Sequence, residues 1–297
     1  SYLFAFFSNN SPYGEQVRYA LSDDGYKYTS LNQGRPIVAS DTIALKKSIR
    51  DPYITRGRDG KTFYMVMTDM RSDEGWQSND GLILMKSTDL IHWQHTAIDF
   101  PTRFPDLTGF DRKNLHAVWA PQIIWDDEVG KYMIYYSMLN RPEEKYDRMY
   151  YSHADKSFTK ITTPRLLFDW GYATIDADIN YLKSDDLYHM LIKKEGGKRG
   201  IFTATSKYLT HGWGAPVDDD YVSFEGNKMT EGSSAFQLIG DDTWRVAYIQ
   251  YSDHPKHYRI CKADKYLRNF SDPVDIKGVT APQHGSFMRI TKKEYNR

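Results

Sequence analysis

The chain of 297 residues carries 39 basic and 39 acidic side chains, so its formal net charge is zero and it offers no basic field to hold a nucleic acid. Its longest apolar run, residues 2–7, is far short of the roughly 20 residues a membrane span needs. The single cysteine, Cys261, excludes an intrachain disulfide and zinc sites built on paired thiolates.

Aromatic residues are abundant, with 23 Tyr, 14 Phe and 7 Trp, a composition suited to half-buried pleated surfaces. Taken in order, the chain repeats one pattern. Residues 1–9 (SYLFAFFSN) read as a strand, residues 17–21 (VRYAL) as its hairpin partner, followed by the polar turn 22–25 and Tyr28. The pattern recurs as 62–68 with 81–85, 131–138 with 148–151, 187–193 with 200–205, and 244–250 with 258–261. A polar turn and an aromatic close each copy: Tyr28, Trp93, Phe158, Trp213 and Phe270, at intervals of 55–65 residues. Five near-equal units of short strands predict an all-β, five-bladed β-propeller forming a single domain over residues 1–297. The first copy has no strand before it, while residues 283–290 (QHGSFMRI) are left over at the other end. Pairing the C-terminal strand with the N-terminal blade would close the ring and remove both free edges.

A short apolar segment precedes each of the other hairpins, and three of these carry acids: Asp51 in SIRDPYI, Asp176 in TIDADI and Glu231 in TEGSSAF. An aspartate set among isoleucines and a tyrosine needs compensation for partial burial. If each segment opens the innermost strand of its blade, the acids converge at one end of the channel, joined by Trp119 and His284. Such a set suits glycoside hydrolysis, which needs one carboxyl group to protonate the leaving oxygen and a second to activate water or attack. Asp178 rivals Asp176 for the third position; a spacing of 12 residues from Asp176 to Tyr188, against 13 from Asp51 to Tyr64, favours Asp176. Two long loops, 69–80 with Trp76 and 101–117 with His116, could wall the site and make it exo-acting.

The ordered set RDP at 50–52, VWAP at 118–121, IDAD at 175–178, EGS at 231–233 and HGS at 284–286 resembles glycoside hydrolase family 43 along the whole chain. The resemblance implies inversion at the anomeric carbon, with Asp51 as general base, Glu231 as general acid and Asp176 as the group that tunes and orients it. It further implies substrate contacts from Arg50, Trp76, Trp119, Gln122 and His284, where Gln122 stands in place of the family's usual aspartate. The implied substrate is an oligo- or polysaccharide with terminal pentosyl units, α-L-arabinofuranosyl first and β-xylosyl second, in a secreted or periplasmic setting. No cofactor is required; the resemblance allows a calcium ion at the axis near His284, although no EF-hand-type loop occurs. A retaining fructan-type hydrolase is disfavoured by the absence of Asn-Asp-Pro and by Gly232 after Glu231. A sugar-binding propeller without catalysis would have little use for three mutually repelling carboxylates.

Overall fold

The computed structural model describes residues 1–107, 112–196, 200–217 and 228–297. It is a five-bladed β-propeller of small antiparallel sheets; among the described residues its α-helices are single turns at Ser40–Ile43, Phe100–Arg103 and Lys292–Tyr295. Blade 1 contains β1 (Tyr2–Phe6), β2 (Arg18–Ser22) and β3 (Thr29–Ser30). Blade 2 runs β4 (Ile49–Arg56), β5 (Phe63–Asp69), β6 (Gly81–Ser87) and β7 (Gln94–Asp99). Blade 3 runs β8 (Leu115–Asp126), β9 (Lys131–Asn140), β10 (Arg148–His153) and β11 (Arg165–Phe168). Blade 4 has β12 (Thr174–Leu182), β13 (Leu187–Lys194) and β14 (Gly200–Ser206) among the described residues. Blade 5 has β15 (Thr230–Gln237), β16 (Trp244–Gln250), β17 (His257–Ala263) and β18 (Val274–Asp275).

The last strand, β19 (Gly285–Arg289), is the innermost strand of blade 1. It pairs with β1 in the register Tyr2↔Arg289 to Phe6↔Gly285. The seam is aromatic: the rings of Phe4 and Phe287 stack with centroids 4.3 Å apart. Ser286 ties β19 to its neighbour β4, accepting from Ile54 N–H at 2.8 Å and donating to the Pro52 carbonyl at 3.0 Å. Arg56 of β4 in turn grips Glu294 of the C-terminal helix at 2.7 Å. Ring closure is thus made by sheet pairing, hydrogen bonds and an ion pair together.

The repeating turn has a physical basis. In each of four copies one aspartate, Asp24, Asp89, Asp155 or Asp264, accepts two backbone N–H groups from the residues just after it. That clamp aims the following aromatic sideways. Each seam between neighbouring blades is filled by its own hydrophobic cluster, and each turn aromatic enters a different one. Tyr28 packs between blades 5 and 1, Trp93 between 1 and 2, Phe158 between 2 and 3, Trp213 between 3 and 4, and Phe270 between 4 and 5. The aromatic period in the sequence is therefore the spacing of wedges between blades. Radial packing of this kind leaves the inner strands β4, β8, β12, β15 and β19 around a common axis, each packed on the next.

Candidate active site

Four of the inner strands carry the same irregularity near their starts. The pairing register shifts between Arg50 and Tyr53 in β4, Trp119 and Gln122 in β8, Ile175 and Asp178 in β12, and Glu231 and Ser234 in β15. One residue within each bulge has positive φ: Asp51 (54°), Ala120 (53°), Asp176 (56°) and Gly232 (68°). A bulge bends the strand and re-aims a side chain at the rim of a barrel or channel. Here it turns the strand mouths toward the axis. Asp51 and Asp176 hold equivalent bulge positions, whereas Glu231 sits one residue earlier, in the place of Arg50, Trp119 and Ile175.

The residues at the mouths line one pocket of about 320 Å³ that includes Arg50, Asp51, Trp76, Trp119, Asp176, Glu231 and His284. Asp51 and Asp176 are both buried beside one nitrogen of His284, whose Nδ1 lies 3.2 Å from Asp51 Oδ1 and 3.8 Å from Asp176 Oδ2. Asp51 Oδ2 accepts from the Thr68 hydroxyl at 2.7 Å, and Thr68 accepts from Ala120 N–H at 2.8 Å. Burial disfavours the Asp51 carboxylate, but the His284 hydrogen bond and charge, with Arg50 and Thr68, outweigh it and hold Asp51 below its ordinary value. Asp176 goes the other way. Burial pushes it up to about 7; the His284 charge opposes this, but the Glu231 and Asp51 carboxylates add to the rise. Its Oδ2 accepts from Gly232 N–H at 3.1 Å. Burial would lower His284, yet Asp176, Asp51 and Glu231 together raise it to about 9.

Gly232 is required on two counts. Its φ of 68° is costly for a side-chain-bearing residue, and a Cβ there would stand 2.8 Å from Cγ of His284. Only glycine lets the imidazole lie against this bulge while the N–H still reaches Asp176.

Glu231 has a partner that the sequence reading missed. Lys193, at the end of β13 and buried, donates to Glu231 Oε2 at 2.6 Å and to the Tyr251 hydroxyl at 2.7 Å. Its Nζ also lies 3.2 Å from Glu195. Lys193, Glu195, Tyr251 and Lys256 all line the pocket. They lie on the second strand of their blade or just beyond a strand, where the search for motifs on inner strands could not find them. The only sequence signal was Lys193 standing at the end of an otherwise apolar strand, LYHMLIK.

Arg50 is fixed on every side. It pairs with Glu15 at 2.9 Å and Asn10 at 2.8 Å, and its guanidinium lies over the rings of Phe7 (4.5 Å) and Trp76 (5.1 Å). That stacking draws the exposed Trp76 from its loop into the pocket wall. His116, from the other long loop, falls in β8 and is not a lining residue; residues 108–111 of that loop lie outside the described residues.

Gln122 is placed differently from the expectation of a substrate contact. The bulge at Ala120 and Pro121 carries it past the pocket to a buried position. With its amide turned to meet acceptors, it donates to Asp178 Oδ1 at 2.9 Å and the Ala177 carbonyl at 3.1 Å. Asp178 is likewise sealed, accepts from Ala235 N–H at 2.6 Å and is pushed up to about 7 by burial. It does not line the pocket, so Asp176 is the carboxyl that faces the cavity. Among the described residues no group of three acidic, His or Cys side chains is arranged to hold a metal ion.

A family model described as "Probable glycosyl hydrolase domain", of the family-43-related type, matches residues 1–296. The chain belongs to this family. A curated relative, an alpha-L-arabinofuranosidase of Bifidobacterium longum subsp. longum, is 24% identical over 226 residues, which cover 68% of this chain and 20% of the relative. The chain thus spans about a fifth of that relative's length. Among solved structures, an endo-1,4-beta-xylanase from Bacteroides thetaiotaomicron aligns with TM-score 0.67 and 13% identity over 94% of this chain and 93% of the other. An exo-1,5-alpha-L-arabinanase from a bovine ruminal metagenomic library aligns with TM-score 0.58 and 16% identity over 92% of each. At these identities the structural matches show the shared propeller fold.

Proposed function

We propose that this domain is an inverting, exo-acting glycoside hydrolase that removes terminal pentosyl units, α-L-arabinofuranosyl by preference and β-xylosyl as the alternative within the same family. The observation that carries the reading is the set of Asp51, Asp176 and Glu231, three carboxyl groups from three blades around one small pocket, with Asp51 held below its ordinary value and Asp176 pushed above it. The names of the arabinofuranosidase relative and the arabinanase neighbour support the sugar class.

In this mechanism Asp51, ionised and hydrogen-bonded by Thr68 and His284, takes a proton from water as it attacks the anomeric carbon. Glu231, protonated from solvent before each turnover, delivers that proton to the departing oxygen, and Asp51 afterwards returns its own to solvent. For that step the Lys193 ammonium shifts its pairing toward Glu195, 3.2 Å away, while Tyr251 keeps hold of its nitrogen. Asp176, through Gly232 and His284, fixes the distance between the acid and base blades. The Lys193–Glu231 pair also favours a second reading, a sugar-binding propeller without turnover, because it engages the carboxyl group that would act as the acid.

Kinetics on two leaving groups separate the roles. Glu231→Ala should lose about 10²–10⁴-fold on a natural glycan but much less on a nitrophenyl glycoside, whose leaving group needs little protonation. Asp51→Ala should fall by a similar factor on both. Equal losses for Glu231→Ala on the two substrates would remove it as the acid. Absence of wild-type turnover on arabinofuranosides and xylosides, with sugar binding intact, would establish the binding propeller instead.

A further inference from the structure

The strands that open at the catalytic pocket also end somewhere. β4, β8 and β12 run down the channel, and their far ends line a second cavity of about 600 Å³ at the opposite face. No residue lines both cavities. Arg56, at the far rim, stands five positions along β4 from Asp51, about 15 Å of strand.

The wall of this second cavity is aromatic. Trp125 and Tyr132 meet edge to face at 4.9 Å, and Tyr181 and Tyr188 lie 5.3 Å apart. Tyr181 is 45% exposed, an unusual position for a large ring that a blade core could have absorbed. The rings are held in place from the outside. Trp125 donates through Nε1 to Asp127 at 3.0 Å, Arg58 lies over its ring at 5.2 Å, and the Tyr132 hydroxyl accepts from Arg58 N–H at 2.9 Å. Tyr181 donates its hydroxyl to Asp186.

The polar groups narrow the ligand. Arg58 is paired with Asp127 and Arg56 with Glu294, and the lining also holds Lys207 and Asp186, one of each sign, so the rim is close to neutral and suits a neutral ligand. Asn180 also lines the cavity, its amide nitrogen turned inward to the buried Asp178 carboxyl. Flat aromatic faces in a cavity of balanced charge match a neutral oligosaccharide, with sugar C–H faces on the rings.

We propose that the cavity at the far mouth of the channel is a second, non-catalytic site for a neutral stretch of polysaccharide. The choice of ligand rests on the proposed glycosidase function. A chain held at the far face keeps the enzyme on its polymer and raises the effective concentration of cleavable ends at the catalytic mouth.

Native affinity electrophoresis through gels containing soluble arabinan or arabinoxylan tests this directly. Wild-type protein should be retarded, and Tyr181→Ala and Trp125→Ala should each weaken retardation at least about threefold. KM on the polymer should rise by a similar factor, while kcat/KM on a nitrophenyl arabinofuranoside stays within about twofold. Trp125→Phe, which keeps a ring, should restore most of the retardation. If Trp125→Ala fails to fold, Tyr181→Ala, altered at an exposed ring, carries the test. Unaltered retardation in Tyr181→Ala, or wild-type protein unretarded by either polymer, overturns the proposal. Retardation that disappears with Tyr181→Ala in a protein without turnover on any aryl glycoside would uphold this site and reject the catalytic reading, so the two fail separately.

Discussion

Replacing His284 with glutamine strikes the centre of the electrostatic arrangement. Its imidazole bridges two buried carboxyl groups, at 3.2 Å from Asp51 and 3.8 Å from Asp176. Burial acts to lower it, but Asp176, Asp51 and Glu231 prevail and hold it at about 9 against an ordinary 6.5. A histidine raised in the folded state contributes stability that is fully present below about pH 6.5 and lost as pH climbs through about 9. The difference corresponds to about 3 kcal/mol. In urea unfolding, His284→Gln should therefore be less stable than wild type by about 3 kcal/mol near about pH 6. Near about pH 10 the wild-type imidazole has lost its proton as well, and the gap should close to less than about 1 kcal/mol. Titrating groups away from the site are common to both proteins and cancel to first order. Asp51 and Asp176 lose the imidazolium charge in the variant and rise, so the proton they take up trims the deficit near about pH 6. A deficit of the same size at both pH values would mean that His284 stabilises by packing alone, and would refute the argument.

Three further outcomes are expected. Gly232→Ala forces a Cβ to 2.8 Å from the His284 ring at a φ of 68°, so it should cost about 1–3 kcal/mol in thermal unfolding and depress turnover; an unchanged midpoint would contradict the close approach. Asp176→Asn removes a buried acid raised to about 7. A raised acid costs stability as pH rises from its unfolded value to its folded one, so the variant should gain on wild type between about pH 4 and about pH 7 in paired urea titrations, while its turnover falls. Removing residues 284–297 takes away β19 and the Arg56–Glu294 pair. Cooperative unfolding should then be lost, and a truncated protein with wild-type midpoint would reject closure by sheet pairing.

The blade count was legible because it rests on local chemistry repeated in order. An aspartate that clamps a turn and an aromatic that follows it need no tertiary information to be noticed, and each of the five aromatics does wedge one seam. Closure was legible for a related reason, since a propeller that starts in mid-blade must borrow its last strand from the other end. The residues that open the inner strands were found by the same counting, and Asp51, Asp176, Glu231 and His284 do face one cavity.

What the sequence could not specify is where a side chain points once a strand is irregular. The bulges decide that. A shift of one residue turns Asp51 and Asp176 toward the cavity, sends Gln122 and Asp178 into the interior, and leaves Glu231 one step off the position of the other two acids. Pairing across blades was equally hidden: Lys193 and Glu231 lie 38 residues apart in the chain, and nothing local joins them. By itself, then, the amino-acid sequence determined the repeat, the ring and the identity of the acids, because turn propensity and hydrophobic period act over a few residues. The opposite shifts of Asp51 and Asp176 were decided only by the tertiary structure, because burial and the nearest opposite charge are properties of the closed ring and of no single strand.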